Sequence, residues 1–203
     1  MRRQRRNQLF KAIVVGIGAG SVAVAFQEAL HYAETLRGEM VSWLGSQGEA
    51  ARLGGGLLAI VLVAFTAWAT RRLCPEASGS GIPHLKGVLM GVRTLRGLRL
   101  IIVKFIGGLL AIGSGLSLGR EGPTVQMGGA VGQVFTDVTG DKTPQSGSLL
   151  IAVGAGAGLS AAFNAPLAGF LFVMEELHFE FAPMPYVSAL AASITADMIS
   201  RLV

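Results

Sequence analysis

This chain is poor in charge. Charged side chains make up 14% of its 203 residues, against about 25% in a soluble domain, so it has too little polar surface to face water on all sides. Cysteine is almost missing. The single Cys74 excludes an intramolecular disulfide framework and a cysteine zinc cluster. Aromatics are only 7% and hydrophobic residues 51%, so with 29 glycines the apolar mass is Ala, Leu, Ile, Val and Gly. High hydropathy excludes disorder, scarce charge a coiled coil, and the lack of a triplet period collagen. What remains is an integral membrane protein.

The charge that is present is unevenly placed. Lys and Arg number 17 and Asp and Glu 12, a net +5. The first eleven residues hold Arg2, Arg3, Arg5, Arg6 and Lys11 and no acid. A nucleic-acid surface would spread such residues over a face with stacking aromatics; here they precede an apolar run. That is the positive-inside pattern, which puts the N-terminus in the cytosol and the chain in a plasma or inner membrane. Residues 1–10 read as a basic cytosolic tail and 11–203 as a membrane domain. Ala12–Phe26, charge-free and with Ala23-Val24-Ala25 near its end, also has the form of a signal peptide after the basic residues. The rest of the chain is equally apolar, however, and retention as a first membrane helix is the better reading.

Charge-free runs set the organisation. Leu53–Thr70 has eighteen residues, about the length that crosses ~30 Å of hydrocarbon. Phe105–Gly119 and Gly122–Thr136 have fifteen each, parted by Arg120-Glu121. Thr143–Met174 has thirty-two. As one helix it would extend ~48 Å, so a break is expected at Asn164-Ala165-Pro166. Phe181–Ala196 is the last run. Short, Gly- and Pro-punctuated segments predict broken and re-entrant helices, which are tolerated at membrane depth only beside protein or a polar cavity. The pairs Gly16/Gly20, Gly115/Gly119, Gly128/Gly132 and Gly154/Gly158 have the spacing that brings helix backbones together. Basic residues at 71–99 place that stretch in the cytosol. The connections 38–51 and 137–147 lack a basic excess and are expected outside.

No P-loop, HExxH or serine nucleophile elbow is present, and His31, His84 and His178 are too scattered for a metal site. Neither an enzyme nor a cofactor is implied. Gly16-Ile17-Gly18-Ala19-Gly20-Ser21 looks like the start of a dinucleotide fingerprint, but no βαβ pattern follows, so helix packing explains these glycines better. Gly79-Ser80-Gly81-Ile82-Pro83 is a helix start. At membrane depth its free N–H groups, positive dipole end and Ser80 hydroxyl form an anion site; in a surface loop the same residues are an ordinary cap. Gly119-Arg120-Glu121-Gly122-Pro123 repeats the design, with Glu121 either near mid-membrane or in a loop that surfaces there. Beside a helix N-terminus its carboxylate can occupy the anion site itself, and protonation would release it. Glu175 and Glu176 close the long run, either as interfacial carboxylates or with one facing a cavity.

GSGIP at 79–83, GREGPTVQMGG at 119–129 and AAFNAPLAGFLFVMEEL at 161–177, with VKFIGG at 103–108 as a softer match, resemble the CLC family of chloride channels and proton/chloride antiporters. The likeness spans residues 10–203. It implies an all-α membrane fold of broken helices, one half of an inverted repeat, transporting chloride and protons. It also implies that Ser80 coordinates the central anion and Glu121 is the external gate. Gly79, Gly81, Ile82, Gly122, Pro123 and Thr124 then surround the anion with helix-end donors, though Pro123 itself has no N–H. Glu176 resembles the internal proton-transfer carboxylate, with Glu175 the alternate. A carboxylate at 176 favours proton-coupled antiport over a passive channel. The anion is expected to be held by partial charges rather than a buried Lys or Arg.

The family often has acidic residues after GSGIP, where this chain has His84 and Lys86. A complete family subunit also has a second half, with a GxFxP motif and a tyrosine that complete the anion site. Neither is recognisable here, where the tyrosines are Tyr32 and Tyr186. The chain is therefore expected to be a fragment, a truncated product or a half that needs a partner, inactive alone in the last case. The family further implies a homodimer joined through the last two helices. Apart from lipid, chloride, protons and such protein partners, no other partner is implied.

Overall fold

The computed structural model describes residues 2–140, 144–177 and 183–202. Among these the structure is all-α, with no strand. Eight helices follow one another: α1 (Arg2–Ser46), α2 (Glu49–Leu73), α3 (Ile82–Leu89), α4 (Gly97–Gly113), α5 (Glu121–Thr139), α6 (Pro144–Phe163), α7 (Pro166–Phe172) and α8 (Pro183–Ser200). A 3₁₀ turn at Pro75–Ala77 leads towards α3, and a π turn at Val173–Leu177 follows α7.

The first helix is longer than its apolar run. Its 45 residues extend ~68 Å, twice the hydrocarbon thickness, and residues 38–46 continue it. The expected outer connection over 38–51 therefore shrinks to Gln47 and Gly48, with Gly48 at φ 102°. Glu28, Glu34, Arg37 and Glu39 follow the apolar run without ending the helix, because charged side chains are good helix formers where water or headgroups can reach them. Residues 2–10 belong to the same helix. His178 and residues 141–143 of the expected 137–147 connection lie outside the described residues.

Helix α6 is the hub. It packs on α1, α5, α7 and α8, and Ala152, Val153, Ala155, Ala157 and Ala161 are fully buried in it. Small residues let the neighbouring backbones come close, as helix contacts in lipid require. A Cβ at Gly128 or Gly154 would meet the facing backbone of the other helix, and one at Gly158 would meet Thr124. In α1, a Cβ at Gly16 would lie 2.7 Å from the Ala192 carbonyl oxygen of α8, and one at Gly20 2.9 Å from Ala196 Cα. The fingerprint-like glycines are thus packing positions. Gly115/Gly119 is different: both lie in the turn after α4, with Gly115 at φ 102°, and join no helix pair. A smaller cluster of Phe26, Leu30, Ile112 and Met127 seats α4 on α1, with Phe26 edge-to-face on Phe105 at 5.3 Å.

The long apolar run breaks where proline predicts. α6 stops at Phe163, Asn164 adopts φ 51°, and α7 begins at Pro166. Pro166 has no N–H for the Ala162 carbonyl, and the Gln27 amide Nε2 donates to it instead at 3.0 Å. The Ala165 N–H has shifted to the Ser160 carbonyl, and the Ser200 hydroxyl fills the place it left on the Ala161 carbonyl at 3.0 Å. Unpaired carbonyls are costly in hydrocarbon. Gln27→Leu is accordingly expected to destabilise the detergent-solubilised protein by about 1–3 kcal/mol, read as a lowered midpoint in a denaturant or SDS titration. An unchanged midpoint would mean that the bond contributes nothing.

Candidate functional site

Two helix beginnings and a lysine converge on one cavity of about 640 Å³. α3 starts after Gly81, whose φ of 89° turns the chain into the helix. A side chain at that position would also collide with Gln126, whose Cβ would lie 2.6 Å from the added carbon. α5 starts at Glu121. The two starts touch: a Cβ on Gly122 would lie 2.7 Å from the Ser80 carbonyl oxygen. Pro83 and Pro123 fall at the second and third helical positions, where a missing N–H forfeits no intrahelical bond.

Of the residues singled out in the sequence, Gly79, Ser80, Ile82, Glu121, Gly122 and Pro123 all line this cavity. Gly81 and Thr124 are buried behind its wall, the Thr124 hydroxyl donating to the Glu121 carbonyl at 2.8 Å. Glu175 and Glu176 lie elsewhere, exposed on the π turn. Such turns are concentrated at functional sites. Among the described residues no cluster of His, Cys, Asp and Glu has the arrangement to hold a metal ion.

The loop before α3 is fixed from three sides. Gln126 of α5, fully buried, donates to the Glu76 carbonyl at 2.7 Å. The Glu76 carboxylate accepts from Arg96, at 2.8 Å from Nε and 3.2 Å from the backbone nitrogen. Lys104 of α4 donates from Nζ to the carbonyls of Ala77 at 2.8 Å and Gly79 at 2.6 Å. Lys104 is only 7% exposed and forms part of the cavity wall. Partial charges are therefore not alone at this site: a buried ammonium stands among them. In the sequence Lys104 marks the edge of a charge-free run, and only its place within VKFIGG pointed to it.

The chemistry open to this arrangement is electrostatic. The first amides of α3 and α5 have no acceptor within their helices, and both helix dipoles present their positive ends. With the Ser80 hydroxyl and the Lys104 ammonium they favour an anion at the cavity. The Glu121 side chain folds back over Gly119, its Oε2 within 2.5 Å of where a Cβ there would stand. A carboxylate and a free anion would thus compete for one positive region.

The family model described as voltage gated chloride channel matches residues 55–203. The chain belongs to the voltage gated chloride channel family. Among its relatives, the H(+)/Cl(-) exchange transporter ClcA of Vibrio cholerae serotype O1 (strain ATCC 39541 / Classical Ogawa 395 / O395) is 41% identical over 201 residues. ClcA of Vibrio vulnificus (strain YJ016) is 43% identical over 202. Each match covers 96% of this chain and 42% of the relative. The solved structure of a slow cyanobacterial Cl−/H+ antiporter superposes with TM-score 0.90 at 38% identity, covering 96% of this chain and 46% of that one. A CLC-type fluoride/proton antiporter, 24% identical with TM-score 0.80, shares the fold. This member of the voltage gated chloride channel family therefore spans less than half the length of the relatives it matches. Family membership, the all-α structure and three helices long and apolar enough to cross a bilayer among the described residues make it an integral membrane protein.

Proposed function

We propose that this chain forms the first half of a proton-coupled chloride exchanger. Glu121 is the gate and Glu176 the cytosolic proton relay, with Glu175 the alternate. Ser80 and the helix-end donors around Gly79, Gly81, Ile82, Gly122, Pro123 and Thr124 bind the anion. The N-terminus is cytosolic, the membrane is the plasma or inner membrane, residues 11–203 form the membrane domain, and the assembly is a homodimer. One observation carries the reading: the starts of α3 and α5 meet at a cavity that Glu121 also lines. The names of the curated relatives support the coupling of chloride to protons.

The test is flux. The protein is purified from its native membranes in the assembly it forms there and reconstituted in liposomes under a chloride gradient. Chloride movement is expected to drive protons uphill. Chloride movement that leaves protons at equilibrium would replace exchange by a passive channel. A second reading, that the chain moves ions only when joined to a complementary half, is favoured by its covering 42% of ClcA. It predicts no flux from the isolated 203 residues, and robust flux from them alone would reject it.

A further inference from the structure

From the contact between α3 and the π turn, we infer that Lys86 is a positioning residue for proton transfer: it holds the Glu176 carboxylate at a fixed place. This rests on the reading of Glu176 as the relay.

The Lys86 ammonium pairs with Glu176 Oε2 across ninety residues of sequence. The pair is half exposed and lies at the end of Val173–Leu177, where one extra residue per turn shifts side chains out of the α-helical register. α3, α6 and α7 all pack against the π turn. Within those three helices Lys86 is the only Lys or Arg, and the only other titratable side chain is His84. His84 is buried beside a different cavity, with Glu76 and Arg93. On the π turn itself Glu175 is a second carboxylate. Without Lys86, Glu176 would keep a like-charged neighbour and lose its paired cation. A carboxylate on a flexible stem then samples several rotamers, and proton transfer needs one of them, within hydrogen-bond reach of the next site.

Lys86→Met, Lys86→Arg and Glu176→Gln are compared in protein purified from native membranes and reconstituted, with protons and chloride measured together. The proton-to-chloride ratio is expected to fall about two- to fivefold in Lys86→Met, the range open to a half-exposed ion pair, and to recover in Lys86→Arg. A merely structural contact would lower both fluxes together and leave the ratio unchanged, and that result overturns the inference. So does an arginine that fails to rescue. If Glu176→Gln abolishes coupling while Lys86→Met keeps the original ratio, Lys86 is wrong and the relay stands. If Glu176→Gln leaves coupling intact, or no preparation moves protons, the relay reading falls and Lys86 with it.

Discussion

Glu121→Gln is expected to leave chloride moving while uphill proton movement falls by about a hundredfold or more, the scale on which a positioned acid or base contributes to proton transfer. Glutamine has nearly the size of glutamate but binds no proton near neutral pH. It also lacks the negative charge that would draw the side chain to the joined ends of α3 and α5. Chloride then meets no competitor, whereas protons lose their carrier. The substitution adds no bulk where the side chain folds over Gly119, so loss of the fold is not the expected cause. The measurement is a paired recording of chloride and pH in liposomes. Proton movement at the original ratio would remove Glu121 from the gate.

Lys104→Met is expected to weaken chloride binding by about ten- to a hundredfold. The ammonium donates to two carbonyls of the loop that sets the direction of α3, and a charge-assisted bond contributes about 1.5–3 kcal/mol. Methionine matches the stem but leaves both carbonyls without that donor and takes a positive charge from the cavity wall. Part of the loss is offset because methionine carries no desolvation cost, which is why the expected effect is smaller than the sum of the bonds. With 1.4 kcal/mol per tenfold in affinity, one to two decades remain. Calorimetric titration with chloride reads the affinity, and thermal unfolding in detergent controls for general damage. A variant that binds chloride like the original protein would show that Lys104 supports neither the loop nor the anion.

How much of this could be read from the sequence depended on the range of the physics. Pro166 and Asn164 act on their own backbone, so the break in the thirty-two-residue run was visible, as were the helix starts at 79–83 and 119–123. Hydropathy was a poorer guide to α1. Glu28, Glu34, Arg37 and Glu39 follow the apolar run but are compatible with helix, and a loop was expected over 38–51 where the helix continues to Ser46. Spacing misled at Gly115/Gly119, since glycine serves turns as readily as packing seams. That Lys104 is buried in the cavity wall was not foreseen for a related reason. Lys104 flanks a charge-free stretch, and burial cannot be read from a flank. The Lys86 contact with Glu176 joins residues ninety apart, which no local period connects.

The carbonyls freed at the end of α6 bear on how the protein is made. Their replacement donors come from Gln27, early in the chain, and Ser200, near the end of the described residues. The α6–α7 hairpin can therefore not be finished in lipid as it leaves the ribosome. Its two replacement bonds can form only once α8 has been synthesised and α1 has packed against it. This corner is thus completed by contacts from both ends of the described chain rather than by its own two helices.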